Sequence, residues 1–260
     1  MFLLNKNILL LLLSLAFFLG IIVISYSNWI GIGVIVFFLL MIYTIKQEYR
    51  QLTSIFIAFL VSYLVYQLIN SYIENYNMSK EINVLLNRVL LLIIVAGLGL
   101  VQFFRKKKIS FFNRKPNFNR SIVMPFHSIK LSYFMLISLI ISGISFLPFI
   151  IQQELSNIKS LIIFCLLFSI INATLEELIW RGLMLASLKD YVSIISRVMI
   201  TSIGFGLLHL AVGIPLIISL LFSFGGAFYA FVVIQTESIY PAIIFHFIVN
   251  IGMVLSGLIL

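Results

Sequence analysis

Nine long apolar runs follow one another along this chain, each bounded by a short polar cluster, and no soluble domain of this size has a core that could take them all. They fall at residues 8–25, 29–45, 53–73, 84–104, 131–151, 160–188, 193–212, 215–234 and 240–260. About 20 helical residues cross the hydrocarbon core of a bilayer, where a chain must satisfy its backbone polar groups internally. The runs therefore predict an all-α, polytopic transmembrane helical bundle of eight or nine membrane helices. Composition agrees, at 62% hydrophobic and 10% charged residues, where soluble domains carry roughly 45–50% and 25%. The first run follows Lys6 as a secretory signal would. It extends to Ser25, however, and no small-x-small site follows, so a retained helix is expected.

The formal charge of +9 is concentrated: eight of the seventeen Lys and Arg residues lie between Arg105 and Lys130, beside an apolar run. Cytoplasmic loops of membrane proteins carry such an excess, and no nucleic-acid partner is needed to explain it. With the N-terminus cytoplasmic, only Lys80, Arg88 and Lys159 of the seventeen fall on the far side. The expected protein is a multi-pass protein of the plasma membrane with its N-terminus in the cytoplasm. Three parts are expected: helices over 1–104 without a signature, a basic cytoplasmic connection over 105–130 carrying a short interfacial helix, and a C-terminal helical core over 131–260. Cys165 is the one cysteine, which excludes an intrachain disulfide and suits a buried thiol. His127 stands in the basic connection without a partner motif and is given no role.

Three later runs carry polar residues at helical spacing. Glu176 and Glu177 are followed by Arg181, Phe205 by His209, and His246 by Asn250. Residues four apart share a helix face, and an ionised side chain near the bilayer centre costs roughly 3 kcal/mol on insertion scales, so such groups face partners or a wet cavity. Glu176 lies about 20 Å before the turn at 189–191 and His209 about 27 Å after it, which brings the two to similar depth on antiparallel neighbours. His246 enters its run from the same side, so the site is expected in a cavity open to the cytoplasmic side.

Glu177 has a natural partner in Arg181. Glu176, about 100° further round the helix, is free to face another wall. It suits a general base for water, with His209 placing that water or relaying its proton. His246 and Asn250 carry N–H groups of the kind that stabilise an oxyanion. Amide hydrolysis uses all four, with Phe205 packing the site. A pair of membrane aspartates is excluded, since Asp190 is the one aspartate, and neither His-Glu-x-x-His nor Gly-x-Ser-x-Gly occurs. Glu176, His209 and His246 are also legitimate zinc ligands, three protein ligands plus water being the catalytic pattern. A metal-bound water and a hydrogen-bonded one both remain open at this point.

In this order on successive runs, Glu-Glu-x-x-x-Arg at 176–181, Phe-x-x-x-His at 205–209 and His-x-x-x-Asn at 246–250 resemble the CPBP family of intramembrane proteases. That family joins type II CAAX prenyl endopeptidases with bacterial bacteriocin-processing and self-immunity proteins, the Abi group. The resemblance covers roughly 131–260. It implies an endopeptidase acting on a small, lipidated or membrane-associated peptide or protein, with Glu176 catalytic and His209 its partner in activating water. By the same resemblance His246 and Asn250 line the oxyanion site, while Glu177 and Arg181 support the glutamate helix. The family has been described both as metal-dependent and as glutamate-dependent, so zinc stays open. A catalytically silent immunity factor or scaffold that acts by binding is the alternative, and a proton-linked carrier a weaker third.

Overall fold

The computed structural model describes residues 6–106, 114–123 and 126–259. Its helices are α1 (Lys6–Ser25), α2 (Trp29–Ile45), α3 (Arg50–Glu74), α4 (Lys80–Val89) and α5 (Leu91–Phe104), then α6 (Leu131–Ile150) and α7 (Leu155–Glu177). A π-helical segment, Leu178–Leu185, prolongs α7. α8 (Ile194–Leu208) ends in a 3-10 turn, His209–Val212, and is followed by α9 (Leu216–Thr236) and α10 (Tyr240–Leu255). Among the described residues, seven helices are long and apolar enough to cross a membrane, α4 and α5 forming one of them, and α2 and α10 are shorter apolar helices. The chain is a helical polytopic bundle whose elements fall within a few residues of the apolar runs.

Polar side chains cap the breaks between helices. Asn28 accepts from the Gly31 amide at 2.9 Å at the start of α2, and Ser79 and Ser193 cap α4 and α8 in the same way. Capping satisfies amide donors that a helix start leaves without partners. Gly213 ends the 3-10 turn with φ +82, in the left-handed region that favours glycine. In the basic connection, where a short interfacial helix is expected, the described residues instead form a two-stranded antiparallel hairpin. Its strands are β1 (Ser121–Val123) and β2 (Ser128–Lys130), with Ile122 opposite Ile129. Ile122 is buried against the end of the bundle, so its anchoring at the bundle end suits a strand pair. Residues 107–113 of that connection lie outside the described residues.

One hydrophobic cluster runs through both halves of the chain. Phe17 stacks on Phe56 with centroids 4.6 Å apart and meets Phe59 edge-on at 5.2 Å. Phe59 in turn lies 5.0 Å from the ring of Trp180, in the π-helical segment. The expected boundary near residue 130 thus divides sequence signature, not packing. α8 and α9 approach closely through small residues, as membrane helices do where no water drives their association. A Cβ on Gly226 would sit 3.0 Å from the Ser202 Cα, and one on Gly206 would run into the Ser219 carbonyl oxygen.

Contacts between chain ends fix which ends of the helices lie together. At one end, Gln51 receives Tyr191 and Arg105, Gln102 meets Ser187, and Glu237 pairs with Arg114 at 2.8 Å and Arg120 at 3.6 Å. At the other, Asn70 donates to Glu74 at 2.7 Å, Asn87 to Asn70 at 2.7 Å, and Gln153 to the Ser256 carbonyl at 3.3 Å. The first end carries the basic connection.

Gly206→Ala is expected to lower the thermal stability of the purified protein by about 1–3 kcal/mol, because the added methyl meets the Ser219 carbonyl oxygen and the Ser223 amide, which are backbone, as well as the Ser223 hydroxyl. Gly33→Ala, which meets nothing within 4 Å, is the matched control and should leave the melting temperature in detergent unchanged.

Candidate active site

Three buried charges, Glu176, Glu177 and Arg181, and a partly buried fourth, Arg88, come together where α4, α7, the π-helical segment and α10 meet. Arg181 Nη1 donates to Glu177 Oε1 at 3.0 Å, and its Nη2 donates to the Gly226 carbonyl at 2.6 Å. The guanidinium lies 4.8 Å from the Phe205 ring centroid and 5.3 Å from that of Tyr229, a cation–π setting on two rings. Glu176 is paired with Arg88, whose Nη1 donates to Glu176 Oε1 at 3.3 Å and to Asn172 Oδ1 at 3.2 Å. Both glutamates and Arg181 are at most 1% exposed. Two carboxylates against two guanidiniums make the cluster neutral, which is what burial in a low dielectric demands.

His246 joins the two pairs. Its Nδ1 lies 3.0 Å from Glu177 Oε1 and its Nε2 3.6 Å from Glu176 Oε2. The Tyr229 ring stacks on the imidazole at 4.9 Å, and Phe205 meets it edge-on at 5.7 Å. A carboxylate only accepts, so the Nδ1–H of His246 donates to Glu177 and the second nitrogen is turned towards Glu176. Glu176 Oε2 has no hydrogen-bond partner among the described residues.

His209 and Asn250 belong to the wall of the same cavity, but no hydrogen bond joins either to a glutamate among the described residues. His209 Nδ1 donates to the Phe205 carbonyl at 3.0 Å, and its ring stacks on Phe222 at 4.3 Å and 3°. Phe205 thereby stands edge-on to both imidazoles. Asn250 is buried, one turn beyond His246, and its Nδ2 has no partner among the described residues.

The cavity measures about 1130 Å³ and is lined by Arg88, Asn172, His209, His246 and Asn250 at its inner part. Glu176 and Glu177 lie one layer behind that wall, reached past His246 and Arg88. The mouth is formed by Glu74, Lys80, Gly213 and Leu258, at the end of the bundle opposite the basic connection. A cytoplasmic opening and a cytoplasmic basic connection are therefore incompatible expectations. The reason is the π-helical segment: Ile179, Trp180, Arg181, Met184 and Leu185 are all fully buried, so core packing closes the side from which the depths were reckoned.

Nor do Glu176, His209 and His246 form the expected zinc set. Among the described residues no three His, Cys, Asp or Glu side chains come together as metal ligands. Glu177 holds one nitrogen of His246, and the Arg88 cation occupies the Oε1 face of Glu176.

Arg88, Asn172 and Tyr229 escaped the sequence reading. Two of them carried a signal: Arg88 is a cation inside an apolar run, costly for the same reason as the glutamates, and Asn172 lies four residues before Glu176 on the same face. Tyr229 carried none.

Residues 158–252 match the family model described as type II CAAX prenyl endopeptidase Rce1-like. No curated protein and no solved structure matches the chain. The matched segment contains Glu176, Glu177, Arg181, Phe205, His209, His246 and Asn250, and stops short of Arg88.

Removing one partner of a buried ion pair leaves the other uncompensated, at a cost of about 3–5 kcal/mol. Glu177→Gln is expected to lose about that much stability in thermal melts. Glu177→Gln combined with Arg181→Met should regain part of it, since the stranded cation is gone.

Proposed function

We propose that the chain, whose residues 158–252 match the Rce1-like model, is a CPBP-family intramembrane endopeptidase in which Glu176 activates water. The observation that carries this reading is the pairing of Glu176 Oε2, which has no donor among the described residues, with His246 Nε2 at 3.6 Å. With Nδ1–H given to Glu177, a neutral His246 offers a lone pair at Nε2. Two acceptors facing each other need a donor between them, and a water supplies one O–H to each.

Glu176 takes the proton as that water attacks a peptide carbonyl presented from the cavity. Arg88 acts as a positioning residue: it engages Oε1 and leaves Oε2 as the basic atom. The Asn250 Nδ2–H, buried and without a protein partner, donates to the developing oxyanion. His209 keeps Nδ1–H on the Phe205 carbonyl and offers Nε2 to the cavity wall, where it relays the proton to the departing amine. His246 thus serves the water, where the family resemblance implies the oxyanion, and Asn250 alone serves the oxyanion. The substrate is a peptide or small protein whose scissile segment enters the bilayer; the cavity walls, with Phe224, Phe228, Ile141 and Ile218, suit apolar side chains.

Glu176→Gln keeps the shape of the side chain and removes the base. It is expected to cut turnover by about 10²–10⁴-fold, the usual yield of a general base. Comparison of peptides released by cells carrying wild type or Glu176→Gln tests activity and exposes the substrate together. Identical peptide profiles and phenotypes would support the alternative, a binding-only immunity factor or scaffold. Arg88→Ala should lower kcat by up to about 10²-fold with little change in KM, as misplacing a reacting group does, and Arg88→Lys should restore part of it.

A further inference from the structure

The two ends of this bundle differ in charge, and the cavity opens at only one of them. Among the described Lys and Arg residues, Lys80, Arg88 and Lys159 alone belong to the half that holds the mouth. Arg88 is spent inside on Glu176. The opposite end gathers Arg105, Arg114 and Arg120 around Gln51, Glu237 and Tyr191. Positive charge in short connections marks the cytoplasmic face. We infer that the active-site cavity opens on the non-cytoplasmic face, and that the substrate is a peptide segment presented from that side, already exported or lying in the outer leaflet.

The interior of the cavity suits such a guest. From the mouth inward, Glu74 accepts from Asn70 and Asn70 from Asn87, each at 2.7 Å, and Arg88 follows with its bonds to Asn172 and Glu176. This polar track runs along α3, α4 and α7. Phe224 and Ile141, on α9 and α6, face the cavity from its apolar side. Asn87 Oδ1 is buried without a donor among the described residues, as Asn250 Nδ2 is without an acceptor. An extended peptide offers both an N–H and a C=O to such a pair, and its apolar side chains to the other wall. A carboxyl-terminal tail displayed in the cytoplasm would meet the closed end, sealed by the core around Trp180.

The substrate side rests on the endopeptidase reading, but the test of orientation does not. In a Cys165→Ser background, single cysteines are placed by Asn77→Cys, in the exposed turn before α4, and by Lys115→Cys, in the basic connection. Spheroplasts of a bacterial expression host are treated with a membrane-impermeant maleimide, with and without permeabilisation. The expected result is labelling of Asn77→Cys in intact spheroplasts, and labelling of Lys115→Cys only after permeabilisation, with roughly a tenfold contrast between the two sites. The reverse pattern, or equal labelling of both sites in intact spheroplasts, overturns the inference. Repeating the measurement on Glu176→Gln separates the questions, because labelling is unaffected by loss of turnover.

Discussion

Charge neutrality inside the bilayer is the constraint on which the rest of this bundle depends. Two carboxylates at most 1% exposed would each be forbidding in an apolar medium. Their pairing with Arg181 and Arg88 sets where α4, α7 and α10 meet, and His246 joins the pairs by bridging from Glu177 towards Glu176. The two ion pairs are unlike. Arg181 is locked by Glu177, the Gly226 carbonyl and two aromatic faces, an arrangement that holds structure. Arg88 touches one oxygen of Glu176 from the cavity side; the second oxygen of each glutamate lacks a hydrogen-bond partner among the described residues, but that of Glu176 is the one that faces His246 Nε2, an arrangement that suits chemistry.

The locked pair needs a rigid seat, and the π-helical segment supplies it. Its residues are almost all fully buried, and Trp180 extends the seat into the aromatic cluster of Phe17, Phe56 and Phe59. π-helical stretches are uncommon and recur at functional sites. Here the stretch follows directly on Glu177, in a helix whose apolar run is much longer than a bilayer requires. The close approach of α8 to α9 through Gly206 and Gly226 brings the Gly226 carbonyl within reach of Arg181 and sets Phe205 beside Tyr229. Packing and charge thus specify the same geometry from different directions.

Helix number and placement were legible in the sequence because hydrophobic length is a property of each run by itself. So was the grouping of Glu177 with Arg181, which one helix turn determines. What the sequence withheld depends on how separate runs meet. The pairing of β1 with β2 could not be read from the sequence, because that pairing and the burial of Ile122 are tertiary facts. Rise per residue brought Glu176 and His209 to similar depth, but it says nothing about which end of a helix is packed shut. Arg88 was counted as a loop charge, although an arginine eight residues inside a span carries the same cost as the glutamates that drew attention.

Arg88 also explains what the helices without a family signature contribute. The Rce1-like segment, 158–252, brings Glu176, Glu177 and Arg181 to the buried cluster, one negative charge more than positive. A segment folded alone would have to bury that excess or alter its protonation to remove it. Arg88, on α4, cancels it at 3.3 Å, and α4 is held by the Asn87–Asn70–Glu74 chain to α3, which packs through Phe56 and Phe59 on α1 and Trp180. The N-terminal helices therefore complete the site electrostatically as well as bracing it. A protein that kept the family motifs but lost α4 would retain both histidines and Asn250, yet leave Glu176 in the membrane without its counter-charge.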